Sequence, residues 1–256
     1  GEPLAWQSAT GPVHPAFYEP EGPGWLRSFH GGLVTTCGLT YLGAPCTDQG
    51  VPLGAHGRAS NTPAEGVWAD AAWQGDEYEL WVQGRLRETA VFGENVRMHR
   101  RIWTRMGESS LYIDDVVENL GDEPVPHMLL YHVNVGFPVL ADQSRVVIPA
   151  HKVTPRDRDA AVELERCHVS GPPVRGFREA VFYHDVKVKD GCATAGVVGG
   201  AGEAARGIYV RYSAATLPRF VQWKMIGEGL YVMGLEPANC LVEGRDKERA
   251  RGTLQF

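Results

Sequence analysis

The chain has 256 residues, 43% of them apolar, and a formal net charge of -6 from 25 basic and 31 acidic side chains. It is long enough to bury a sizeable core, and its charges are spread without blocks, so it offers no basic stripe to phosphates and is not expected to bind nucleic acid. No apolar run approaches the roughly 20 residues needed to cross a bilayer and no signal peptide opens the sequence, which predicts a cytoplasmic protein with no membrane contact.

In chain order, "GEPLAWQS" reads as a strand already in progress and "RGTLQF" ends in another. A single domain over residues 1–256, possibly trimmed at both ends, is therefore expected. Glycines and prolines are scattered as punctuation, the pattern of many short strands joined by turns. The clearest alternation is in "EYELWVQGRLRE" (Glu77 to Glu88) and "RMHRRIWTRM" (Arg97 to Met106), both predicted to be half-buried antiparallel strands. "SLYIDDVVENLGDEPVPHMLLYHVNV" adds a strand, a turn and a second strand, and "VFYHDVKV", "GIYVRYS", "RFVQWKM" and "GLYVMGLEP" continue the series. Only "DRDAAVELERC" (Asp157 to Cys167) has the spacing for a few helical turns. The fold class is an all-β sandwich or barrel of at least a dozen strands. Five cysteines, never in a CxxC, point to reduced thiols, with Cys37 and Cys240 read as packing residues.

Chemistry is concentrated at a few strand ends and turns. His132 interrupts the apolar run "HMLLYHVNVGFPVL", and Glu236 closes the apolar strand "YVMGL". Each must be paired, hydrogen-bonded or functional at such a position. A buried Glu beside a His is a base and an acid whose pKa values the surroundings can push apart, the minimum for moving a proton on and off a sugar hydroxyl. A core histidine bonded to a backbone carbonyl explains His132 equally well. In "GAHGRASNTPAEG", His56 and Arg58 flank Gly57, which would let the backbone approach a ligand closely, although a plain surface loop has the same text. In "FVQWKM", Gln222 and Lys224 share one strand face and Trp223 takes the other, so one set or the other contacts a ligand.

The order of "GGLVTTCGL", "LGAHGRASNTPAE", "VENLGDEPVPHMLLYHVNVGFPVL" and "LEPANC" resembles the aldose 1-epimerase (galactose mutarotase-like) superfamily, and within it a subgroup known only as a domain of unknown function. The resemblance runs from about Gly24 to the C-terminus. It implies a large antiparallel sandwich with an open sugar-binding cleft. It also implies interconversion of α and β anomers of a free or modified sugar, with Glu236 as general base, His132 as general acid and no cofactor or metal. His56 corresponds to a histidine that hydrogen-bonds the sugar, and the family's arginine to Arg27 or Arg58. Asn134 and Lys224 complete the candidate contacts. Galactose-type members carry Asn-His at the second histidine, whereas Tyr131 precedes His132 here, which implies another preferred sugar.

Two alternatives stand beside this reading. One is a catalytically silent carbohydrate-binding domain of the same fold. The other is a metal-dependent cupin-like isomerase, which the sequence disfavours: it has no H-x-H pair, and His127 and His132, five apart on a strand, point to opposite faces.

Overall fold

The computed structural model describes residues 4–256, so the first three residues of the expected opening strand lie outside it. Fifteen strands and two short α-helices follow one another as β1 (Val34–Leu39), β2 (Cys46–Asp48), β3 (Val51–Leu53), β4 (Glu65–Gln74), β5 (Glu77–Thr89), β6 (Asn95–Arg105), β7 (Tyr112–Asn119), β8 (Met128–Val135), β9 (Arg145–Val147), β10 (Ala150–Pro155), α1 (Arg158–Val162), β11 (Ala180–Val186), β12 (Cys192–Gly199), β13 (Arg206–Ser213), β14 (Arg219–Gly227), β15 (Leu230–Ala238) and α2 (Arg245–Arg251). The strands form a six-stranded sheet β1-β8-β15-β14-β11-β10, a four-stranded sheet β4-β5-β6-β7, a three-stranded sheet β13-β12-β9 and the β2-β3 hairpin. Every pairing between these strands is antiparallel.

The six-stranded sheet is the centre of the molecule, and its strands β1, β8, β15 and β14 are largely buried on both faces because both are covered. On its back face Val133, Val135, Phe220, Met233 and Leu235 pack on Val146, Ala195 and Val197 of the three-stranded sheet. Leu39 and Leu129 pack on Leu86, Val96 and Met98 of the four-stranded sheet. On its front face Cys37, Leu130, Val181, Val221 and Ala238 meet Trp25, Phe29 and Cys240 from the connecting segments. Cys37 and Cys240 are thus packing residues, as their apolar neighbours predict.

The half-buried reading of β5 and β6 holds only at one end. Leu86, Val96 and Met98 are buried, but the four-stranded sheet runs on past its neighbour, leaving Val67, Trp73, Leu80 and Val82 exposed. Its outer face is instead a polar ladder: Arg101 pairs with Glu79 at 2.5 Å and lies over the Trp81 ring, and Trp103 stacks on Tyr112 at 4.1 Å. Alternation predicts which face a side chain takes, not how far the covering layer extends.

The stretch expected to turn helical does so, as α1 followed by a 3-10 turn at Leu164–Arg166. Asp157 caps it by accepting a hydrogen bond from Ala160 N at 3.0 Å. Helix α2 was not expected, since "RDKERAR" has no apolar stripe. Charge holds it in place: Arg245 Nε and Arg249 Nε each reach Asp48 at 2.7 Å, and Arg249 Nη2 adds a bond at 2.8 Å. Asp48 is 2% exposed and these arginines hold its carboxyl below the usual range. Replacing Asp48 with Asn leaves two guanidinium groups without their anion, so Asp48→Asn should cost about 2–3 kcal/mol, read as a lowered urea midpoint.

Candidate active site

The register across the six-stranded sheet puts Thr35, His132, Glu236, Val221, Tyr183 and Thr154 in one transverse row. Thr35 lies opposite His132, Glu236 opposite Val221, Val221 opposite Tyr183 and Tyr183 opposite Thr154. The pairing of Leu235 with Val133 sets Glu236 beside His132 on the front face. There His132 Nε2 lies 3.2 Å from Glu236 Oε1. The next row contains Asn134, Gly234, Trp223 and Val181. A Cβ at Gly234 would land on Oε1 of Glu236 and press on Trp223 Cβ at 2.9 Å, so this glycine makes the space in which the carboxyl group lies back along its own strand.

The pair is covered by rings that connecting segments bring in. Phe29 sits 5.0 Å from the His132 ring, stacks on Trp25 at 4.4 Å and meets Trp6 at 5.6 Å. Trp6 reaches over to Trp223 at 6.1 Å, and Trp223 presents its edge to His132 at 5.3 Å. Backbone bonds from Trp6 N to Asn134 O and from Gly32 N to Trp6 O hold the covering segment down. His132 and Glu236 are left 5% and 2% exposed.

His56 completes the group, 6.4 Å from His132 and 4.5 Å from Trp25 between ring centres. Its backbone is left-handed, at φ 54°, and Gly57 follows at 76°. The close approach that Gly57 permits is to β1, not to a ligand: a Cβ there would strike Gly38 O, and Gly38 N donates to His56 O at 3.0 Å. This turn aims the imidazole inward and leaves Arg58 exposed, where its charge acts on Tyr18, Tyr41 and Glu88.

The other expected contacts divide. Arg27 is exposed and pairs with Glu19 at 3.3 Å, so neither arginine candidate joins the pair. Asn134 is on the right face, but its amide donates to Gly32 O at 3.0 Å and His132 O at 2.9 Å, and so anchors the loop ahead of β1. Lys224 lies on the back face, fully buried, with Nζ 2.9 Å from Glu163 and donating to Arg166 O at 2.8 Å. Gln222 shares that face and bonds His184 at 2.8 Å. Of the two options in "FVQWKM", Trp223 faces the candidate site.

Two polar residues were missed. Glu179 accepts from Trp223 Nε1 at 2.9 Å and pairs with Arg156 Nη2 at 2.8 Å. Both fall in segments with no strand pattern and no motif. Their charges reach the site, Glu179 drawing the pKa values of His56 and Glu236 upward and Arg156 opposing it.

Among the described residues, His56 Nδ1, His132 Nδ1, Glu236 Oε1 and Tyr183 Oη are buried without a hydrogen-bond partner. Leaving several such atoms together on one face is costly, and a water or a polar ligand is what completes them. Burial also sets their charge. It pushes His132 down to about 3, aided by nearby His56, while the Asn134 side chain pulls weakly the other way. Burial takes His56 to about 4 and holds Glu236 well above the ordinary carboxylate range. Burial thus favours a carboxylic acid beside a neutral imidazole, with His132 Nε2 3.2 Å from Glu236 Oε1. No group of three His, Cys, Asp or Glu side chains is gathered for a metal among the described residues.

The sequence profile of a family described as a domain of unknown function, DUF4432, matches residues 1–256. The chain belongs to that family. Among solved structures it is similar to a candidate aldose 1-epimerase from Klebsiella pneumoniae, at 27% identity and a TM-score of 0.92, over 98% of this chain and 66% of that one. The chain thus spans just under two thirds of that relative's length. The Slr1438 protein of Synechocystis shares the fold at 17% identity and a TM-score of 0.60, over 100% of this chain and 79% of that one. A search of curated proteins finds no match. The family and its aldose 1-epimerase-like sandwich are those that the motif order implies. No helix among the described residues is long and apolar enough to cross a membrane.

The raised pKa of Glu236 has a stability consequence. The unfolded chain releases this proton near pH 4.5 and the folded chain keeps it well above, so stability falls as pH rises from 4.5 towards neutrality. Glu236→Gln removes that slope. It should be more stable than the parent at pH 7 by about 1 kcal/mol or more, about 2–4 °C in Tm, with the gain shrinking towards pH 4.5.

Proposed function

We propose that the protein is an aldose 1-epimerase, interconverting the α and β anomers of a sugar without a cofactor. The observation that carries this reading is the Glu236–His132 pair, 3.2 Å apart, buried and surrounded by unsatisfied polar atoms. The Klebsiella relative supports it through its name and 27% identity.

The neutral pair and the ion pair of Glu236 and His132 contain the same number of protons. A sugar's hydroxyls set against the pair supply the polar surroundings it lacks when empty, so the shared proton moves from Glu236 to His132. Glu236 then takes the proton of the C1 hydroxyl as the C1 carbonyl forms, the C1–O5 bond breaks, and O5 accepts the proton of His132 Nε2. Rotation about C1–C2 and the reverse transfers close the other anomer. His56 Nδ1, buried without a partner, would bond a sugar oxygen, and Trp223 would lie against the ring.

The aromatic cover favours a second reading, a sugar-binding domain without turnover, because His132 and Glu236 are only 5% and 2% exposed. Anomer-exchange NMR separates the two. Glu236→Gln and His132→Ala should each slow exchange by roughly 10²-fold or more. Folded variants with parental rates would remove the mechanism. Binding by the parent protein without any acceleration over buffer would leave the binding domain.

The pH profile follows from the shared proton. The acidic limb marks a second proton entering the pair, which burial opposes by holding His132 near 3. The alkaline limb marks loss of the shared one, which burial opposes by holding Glu236 high. Rate should therefore trace a bell with a plateau wider than the 4.5 to 6.5 interval of the two unperturbed groups.

A further inference from the structure

Arg156, just after β10, holds the Glu179 that accepts from Trp223, and Arg251 of α2 acts on Tyr183 in β11; each arginine is already held by two carboxylates. Arg156 gives Nε to Asp157 at 2.7 Å and Nη2 to Glu179 at 2.8 Å. Arg251 pairs closely with Glu243 and reaches Glu248 at 3.3 Å. Tyr183, in the same row as Glu236, lies in the field of both arginines and of Glu243. Arg156 against Asp157 and Glu179 makes the rim beside Trp223 net negative. The remaining walls are Trp6, Trp25, Phe29 and Trp223, which offer a sugar apolar faces and no counter-charge.

We propose that the site takes uncharged sugars and turns away those carrying a phosphate or carboxylate, and that Glu179 is the specificity-determining residue, because its ion pair keeps Arg156 from an incoming anion. This deepens the aldose 1-epimerase reading and rests on it for the choice of ligand. A phosphate at this rim meets like charge and must break an existing ion pair to gain a cation, a cost that an uncharged hydroxymethyl group avoids. Glu179→Gln preserves an oxygen for Trp223 Nε1 and removes the charge. It therefore frees Arg156 Nη2, with Asp157 still on Nε, without taking away the tryptophan's acceptor.

The test measures binding by calorimetry and exchange by NMR on one preparation, with glucose, galactose and xylose against glucose 6-phosphate and glucuronate. The wild type should bind at least one uncharged sugar tenfold or more tighter than its charged counterpart. Because the rim is solvent-facing, that ratio should shrink in high salt. Glu179→Gln should narrow it threefold or more, chiefly through tighter binding of the charged sugar, and Asp157→Asn, which frees Arg156 Nε and keeps an oxygen for the α1 cap, should act in the same direction if the first variant does not fold. Selective binding of uncharged sugars without accelerated exchange would retire the epimerase reading and leave the selectivity standing. Equal or tighter binding of a charged sugar by the wild type, or an unchanged ratio in the folded variant, would overturn the proposal even if exchange is fast. No binding of either class would overturn both.

Discussion

A carboxyl group and an imidazole buried side by side in the middle of a sheet cannot settle their charges independently of one another. The antiparallel register of β8 and β15 imposes that condition here, setting Glu236 beside His132 on one face. Much around the pair follows from it. Gly234 makes room for the carboxyl group, Asn134 fixes the loop that carries the covering segment, and the aromatic rings exclude the water that would otherwise ionise the acid. The resulting state is electrically neutral yet one internal proton transfer from an ion pair, which is useful for chemistry that gives and takes a proton in the same turnover.

The central sheet keeps its two faces for different purposes. Behind the pair, hydrophobic packing on two smaller sheets fixes strand positions, and the buried polar groups there are bonded to one another, Lys224 to Glu163 and Gln222 to His184, with His184 Nδ1 left over. In front, polar atoms are buried and unsatisfied. Buried polar groups with partners contribute to a unique packing, whereas those without partners destabilise the fold and are kept where a ligand completes them.

The parts of this arrangement that depend on strand periodicity were legible in the sequence. His132 and Glu236 stood out because each interrupts an apolar alternation, and Trp223 was separated from Gln222 and Lys224 by the same period of two. Which of those faces looked towards the site was not legible, because alternation defines two faces without ordering them. Glu179 and Arg156 lie just outside strands, where no pattern marks a side chain that reaches in. Gly57 suggested a ligand cradle and instead lets a turn rest on β1, since a glycine announces close approach without naming what approaches. Helix α2 escaped notice because charge rather than an apolar stripe holds it, and the bare end of the four-stranded sheet did so because the extent of the covering layer is a tertiary fact.

The distribution of the seven tryptophans gives the molecule two optical populations. Trp6, Trp25 and Trp223 ring the candidate pair, whereas Trp68, Trp73, Trp81 and Trp103 are spread over the four-stranded sheet. Trp68 and Trp73 are 52% and 68% exposed and Trp25 is 2% exposed, so a dissolved quencher such as iodide reaches the first two and not the third. Trp25 then keeps its shorter-wavelength emission, and its ring lies 4.5 Å from that of His56. The chain carries a built-in reporter of its own site, needing neither a label nor a substrate.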